Sequence, residues 1–133
     1  MDLYAFLHPE YTELTKEIVI SDRFKDKDSN VVPFKIKALT QDENDTISNR
    51  CYKVKNNMRT FDMLEYNRRL IVAATVFPDF KNSELCTAYG VTDPTQTAAK
   101  MLYAGEFATL VNAISELSGF ATMQERTAEE AKN

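Results

Sequence analysis

Asp26, Asp28 and Asn30 stand at alternate positions in the stretch DRFKDKDSNVVPFKIK, 22–37, the spacing with which the calcium loop of an EF-hand begins. Such a loop needs glycine at its sixth position for a sharp turn and a bidentate glutamate at its twelfth. Those positions hold Val31 and Lys37. A β-branched residue resists the turn, an ammonium repels the ion, and the flanks read as strands where an EF-hand has helices. The stretch is therefore expected to be a turn between two strands with solvated carboxylates, and no metal is assigned.

Other chemistry fares no better. The single histidine, His8, sits beside Pro9 without a partner. The three glycines, Gly90, Gly105 and Gly119, fall at helix boundaries and form no phosphate-cradling loop. Asp42, Glu43 and Asp45 cluster where a helix begins, and there they complement the helix dipole rather than hold a metal. No nucleophile with a base, paired acid and base, or ligand set assembles, so no catalytic residue and no cofactor is assigned and the chain is read as a non-enzyme. Cys51 and Cys86, far apart and outside any Cys-x-x-Cys pattern, read as reduced, buried thiols of a cytosolic protein.

Two groups remain that could touch a partner. Leu3, Phe6 and Leu7, at i, i+3 and i+4, give one apolar-faced turn before Pro9, either folded onto its own core or docking a partner. Arg50, Lys53, Lys55, Arg59, Arg68 and Arg69 form a basic set, with Asp62 and Glu65 interspersed. It reads first as a solvated helix surface, then as a docking patch for an acidic partner. A third reading is a nucleic-acid-binding regulator, which the net charge of -4 weakens, because gripping phosphates takes an excess of clustered Lys and Arg.

The elements that must position these groups belong to one domain, given 133 residues with 44% hydrophobic and 27% charged side chains. The stretch KEIVISDRF and the alternating Val32, Phe34, Ile36 and Ala38 predict two strands joined by the polar turn. Pro33 places its strand at an edge or points its nitrogen outward. Thr40 with Glu43 forms a capping box, and Ile47, Cys51 and Val54 carry a helix onward until Asn56 and Asn57 break it. A second helix spans about 61–76, with Met63, Leu64, Asn67, Leu70, Ile71 and Ala74 facing inward. Short helices follow at NSELCTAYG and TDPTQTAAKML. The last helix carries the stripe Phe107, Leu110, Val111, Ile114 and Leu117, closed by Gly119 with Phe120 folding back onto Ile114. The fold class is α+β: an N-terminal antiparallel β-hairpin, with room for a third short strand, packed on a bundle of about four to five short helices. Residues 1–123 form the domain and 124–133 a flexible or helical tail. The N-terminus lacks a signal-peptide pattern, and no run approaches the roughly 18 apolar residues of a membrane span.

In combination, SDRFKDKDSNVVPFKIKALTQDEN, YNRRLIVAATVFPDFKNSELCTAYGV and KMLYAGEFATLVNAISELSGF resemble the XkdN-like phage tail assembly chaperones, encoded by phages and defective prophages of Gram-positive bacteria. The resemblance covers about 3–120. It implies a non-enzymatic factor in the bacterial host cytoplasm that binds the tape measure protein and tail tube subunits during tail morphogenesis and is absent from the mature virion. It also implies a longer form made by a -1 ribosomal frameshift, for which the final residues 131–133 can be encoded GCA AAA AAC. Partner contact is expected at Leu3, Phe6, Leu7, Arg50, Lys53, Arg59, Arg68 and Arg69, and a homo-oligomer is compatible with the sequence. The alternative reading stays a prophage-encoded nucleic-acid-binding regulator using Arg50 to Arg69.

Overall fold

In the computed structural model, residues 2–10 and 13–120 are described. The chain begins with α1 (Tyr4–Leu7), a single turn. β1 (Thr15–Ile18) then pairs antiparallel with β2 (Phe34–Lys37), with Ile18 opposite Phe34 and Thr15 opposite Lys37. The long connection between them is a hairpin turn. Ser29 takes φ 66°, and the Asp26 carboxylate accepts the backbone amides of Asp28 and Asn30 at 2.9 and 3.0 Å. The alternation in β2 buries Phe34 and Ile36.

α2 (Gln41–Asn49) starts at the expected capping box, with the Glu43 amide donating to Thr40 Oγ1 and the Thr40 amide donating to Glu43 Oε1. It stops sooner than expected. Cys51 is buried, but Val54 is 76% exposed and lies not on a helix but in β3 (Tyr52–Lys55), which pairs with β4 (Met58–Phe61). The reason lies at Asn56 and Asn57, with φ 53° and 64°. Two consecutive left-handed residues make the tight turn that suits a two-residue β-hairpin, and Asn tolerates that conformation better than most residues. The asparagines connect two strands rather than two helices.

α3 (Met63–Ala74) follows, capped by Asp62, and passes directly into β5 (Thr75–Phe77). β5 is the third strand of the first sheet, whose order is β1-β2-β5. β2 is therefore central, which excludes the edge alternative offered for Pro33. Pro33 precedes the first paired residue, so its missing amide costs the ladder nothing. The inner face of α3 is also narrower than its sequence pattern: Leu70, Ile71 and Ala74 are buried, whereas Met63 and Leu64 are exposed and Asn67 is half-buried. The first turn of α3 lies at the margin of the core, where Met63 and Leu64 are only partly covered and Leu64 lines a surface groove.

α4 (Ser83–Ala88) is capped by Asn82. Asp93 caps a 3-10 turn (Pro94–Gln96) that leads into α5 (Thr97–Met101). α6 (Ala104–Leu117) ends with Gly119 at φ 95°. Phe120 donates its amide to the Ser115 carbonyl at 3.0 Å, and its side chain stays half-exposed beside Leu39 and Leu70. α3 is the central helix and touches α2, α5, α6 and the 3-10 turn. The core runs from Phe34 and Ile36 through Leu70 and Ile71 to Phe80, Leu110 and Ile114. The expected tail, 124–133, lies outside the described residues.

Candidate functional site

Core geometry decides which side chains are free to meet a partner. In α1, Leu3, Tyr4, Phe6 and Leu7 are all exposed, Phe6 at 82%. The turn is held only by its own groups: the Phe6 and Leu7 amides donate to the Leu3 carbonyl at 3.0 Å, and the Tyr4 ring stacks on His8 at 4.2 Å. Of the two sequence alternatives for the arm, folding back onto the body is not what the described residues do.

The β3–β4 hairpin is exposed along both strands. Cross-strand register puts Tyr52, Phe61, Val54 and Arg59 on one face and Lys53, Lys55, Met58 and Thr60 on the other. The Tyr52 ring meets the edge of Phe61 at 5.1 Å, and Phe61 meets Tyr66 of α3 at 5.6 Å. The Arg59 guanidinium lies 3.9 Å from the centre of the Tyr52 ring, a cation–π contact. From Arg50 to Phe61 the chain carries four cations and no carboxylate.

The basic residues do not form the helix surface expected of them. Arg50 caps α2, Lys53 and Arg59 belong to the hairpin, and Arg68 and Arg69 to α3. Lys53 and Arg69 converge on Glu65 at 3.2 and 3.1 Å, and their hydrogen bonds hold its carboxyl below the usual range. Arg50 and Arg69 share a shallow cleft floored by Ile47 and Val72. Arg68 lies apart, in a groove with Leu64, Leu102 and Phe107. No hydrogen bond or ion pair among the described residues joins the arm to this set.

Sequence reasoning missed the apolar part of this surface: Tyr52, Val54, Met58, Met63 and Leu64, all exposed. The signal was present, since YKVK and MRTF alternate around a two-residue Asn-Asn turn.

Ion pairs and hydrogen bonds join segments distant in sequence. Arg23, in RFKDKD, donates to both Glu106 carboxylate oxygens, at 3.0 and 2.7 Å, and to the Met101 carbonyl at 2.7 Å. Glu106, in AGEF, also accepts the Tyr103 amide at 2.8 Å. The Arg23 guanidinium also lies over the Phe24 and Tyr103 rings, 4.4 Å from the centre of each. Its hydrogen bonds are the main reason that the Glu106 carboxyl is lowered to about 2. The Leu39 amide, just before TQDEN, donates to Ser118 Oγ at 3.0 Å, and Tyr66 OH donates to Asn44 within it.

Comparison with known proteins decides the family. The profile described as "Phage XkdN-like tail assembly chaperone protein, TAC" matches residues 3–132. The chain belongs to the XkdN-like phage tail assembly chaperone family. It is 36% identical to the uncharacterized protein YqbN of Bacillus subtilis (strain 168), over 99% of this chain and 93% of that protein. It is 34% identical to the phage-like element PBSX protein XkdN of the same organism, over 97% and 93% of the two chains. The crystal structure of YqbN superposes with a TM-score of 0.77, covering 91% of this chain and 98% of that one. An XkdN-like chaperone works with protein partners in phage tail assembly, and the family is not one of enzymes. Among the described residues no group of His, Cys, Asp or Glu could hold a metal ion. No helix among them is long and apolar enough to cross a membrane.

Proposed function

We propose that this chain holds the tape measure protein, and engages tail tube subunits, in the host cytoplasm during tail assembly, and that it leaves before the virion is complete. The observation that carries this reading is the apolar surface outside the core, in the arm and on the hairpin and first turn of α3, set beside Arg50, Arg59 and Arg68, which form no ion pair among the described residues. Leu3, Phe6 and Leu7 would grip apolar side chains of an amphipathic client helix, while Arg50, Arg59 and Arg68 would read its acidic flank, and Lys53 and Arg69 would join them only by exchanging Glu65 for a client carboxylate. Residues 1–123 act as one domain, with 124–133 as the link to a longer form made by frameshift. Reading the gene tests that form: a codon choice other than GCA AAA AAC, or no overlapping downstream frame, removes it.

The client test is co-expression with the tape measure protein, followed by pull-down and a measure of client solubility. A complex that Leu3→Glu with Phe6→Glu abolishes, together with rescued solubility, is expected. No complex and no rescue would refute the assignment. The nucleic-acid reading is weakened by Lys53 and Arg69 being turned onto Glu65. It predicts DNA or RNA binding that falls steeply with salt.

A further inference from the structure

A groove of about 290 Å³ opens where α3 meets α5 and the start of α6. Leu64, Leu102, Ala104 and Phe107 supply its apolar lining, and Asn67 and Arg68 its polar part. The lining contains one cation and no carboxylate. Arg68 makes no ion pair among the described residues, unlike its neighbour Arg69. Leu64, 68% exposed, lies one helical turn before Arg68, so a ligand meeting one would meet the other.

The arm has the complementary character. Residues 2–10 carry the carboxylates of Asp2 and Glu10, and no Lys or Arg. Their large apolar side chains stand in solvent around a single helical turn. One turn is too short to be stable alone in water, because its nucleation cost is not offset by further hydrogen bonds. It needs a surface to lie on, and in the described structure its own body does not supply one.

We propose that the α1 turn of one copy of this chain seats in the α3/α5/α6 groove of a second copy, with Phe6 and Leu7 against Leu64 and Phe107 and an arm carboxylate at Arg68. The charge match supports this occupant: an acidic apolar arm meets an apolar groove whose only charge is positive. The groove is also small, suited to the side chains of one turn rather than to a long helix. A contact between two different patches closes as a pair when each copy gives an arm and receives one. Self-association of this kind is independent of which client the chain holds. It also gives the arm two competing destinations, so loading a client through the arm would loosen the pair.

Light scattering on the purified full chain over a range of concentrations is the first test, and it needs no client. A mass above the monomer is expected. Phe6→Glu with Leu7→Glu, and separately Leu64→Glu, should each weaken the association by about tenfold or more. These side chains are exposed, so the variants should keep the wild-type far-UV circular dichroism. Arg68→Glu should also weaken it, and Asp2→Lys with Glu10→Lys in the same chain should restore it. Mixing a Phe6→Cys copy with a Leu64→Cys copy under oxidation should yield a disulfide-linked heterodimer. A monomer at every concentration would overturn the proposal, as would an oligomer indifferent to the arm and groove variants. So would a Phe6→Cys, Leu64→Cys chain that cross-links only within itself.

Discussion

Leu64 and Leu70 belong to the same apolar pattern of α3, and helical periodicity assigns both to the core. The structure separates them: Leu70 is 3% exposed and Leu64 68%. Truncating Leu70 to Ala leaves a cavity in the core cluster to which it belongs, and such changes cost about 2–5 kcal/mol. Fully burying a leucine is worth about 1.5–3 kcal/mol. Leu64 has roughly a third of its surface covered, so at most about 0.5–1 kcal/mol is at stake, and the better helix propensity of alanine offsets a little of that. A chain of this length is expected to have roughly 7–20 kcal/mol of total stability, so both variants should fold. Urea denaturation followed by far-UV circular dichroism measures the contrast. With a slope of about 2 kcal/mol per molar, Leu70→Ala should lower the midpoint by about 1–2.5 M and Leu64→Ala by less than about 0.5 M. Equal losses would refute the placement of Leu64 outside the core, and with it the groove that Leu64 lines.

Acid should remove the contribution of Glu106. Its carboxyl is lowered from 4.5 to about 2, chiefly by hydrogen bonds from Arg23. Its stabilisation is therefore complete above the unfolded value and lost as pH falls through the folded one. Wild type should melt above Glu106→Gln at neutral pH, and the gap should close as pH falls from about 5 to about 2; Glu43 and Glu65, also lowered, titrate in both proteins. Two buried threonines should respond oppositely to valine. Thr97 Oγ1 donates to the Phe80 carbonyl at 3.3 Å, so Thr97→Val should lose about 1 kcal/mol in a thermal melt. Thr75 Oγ1 has no partner among the described residues, so Thr75→Val should be neutral or stabilising by up to about 1 kcal/mol. Asn57, at φ 64°, should accept glycine, whereas alanine should strain the turn by roughly 1–2 kcal/mol. Amide exchange in β3 and β4 would show the loss.

Where a feature depended on neighbours in sequence, the residues announced it. Thr40 and Glu43 form their capping box, the short helices expected at NSELCTAYG and TDPTQTAAKML are present, and Gly90 and Gly119 take positive φ. The β1–β2 hairpin and the α6 stripe were equally legible, because strand alternation and helical spacing are properties of a dozen residues. The helix expected through Val54 failed on a local ambiguity. Ile47, Cys51 and Val54 fit a helical spacing, YKVK fits alternation, and only the Asn-Asn turn separates the two.

The candidate docking surface was only partly legible. The apolar arm at Leu3, Phe6 and Leu7 could be read directly, whereas the exposure of Met63 and Leu64 could not. Periodicity says which residues share a face, but not how far the neighbouring elements reach along it. Basic residues adjacent in sequence were likewise divided by the fold, Lys53 and Arg69 turned onto Glu65 and Arg68 left in the groove. Arg23 and Glu106 belong to segments that the family resemblance had picked out separately, and only the folded chain shows that they are bound to each other. The sequence by itself determined the family and those local elements, caps and turns whose signals did not conflict. Tertiary structure decided which apolar and charged side chains remain free, because burial and ion pairing depend on groups that meet only once the chain has closed on itself.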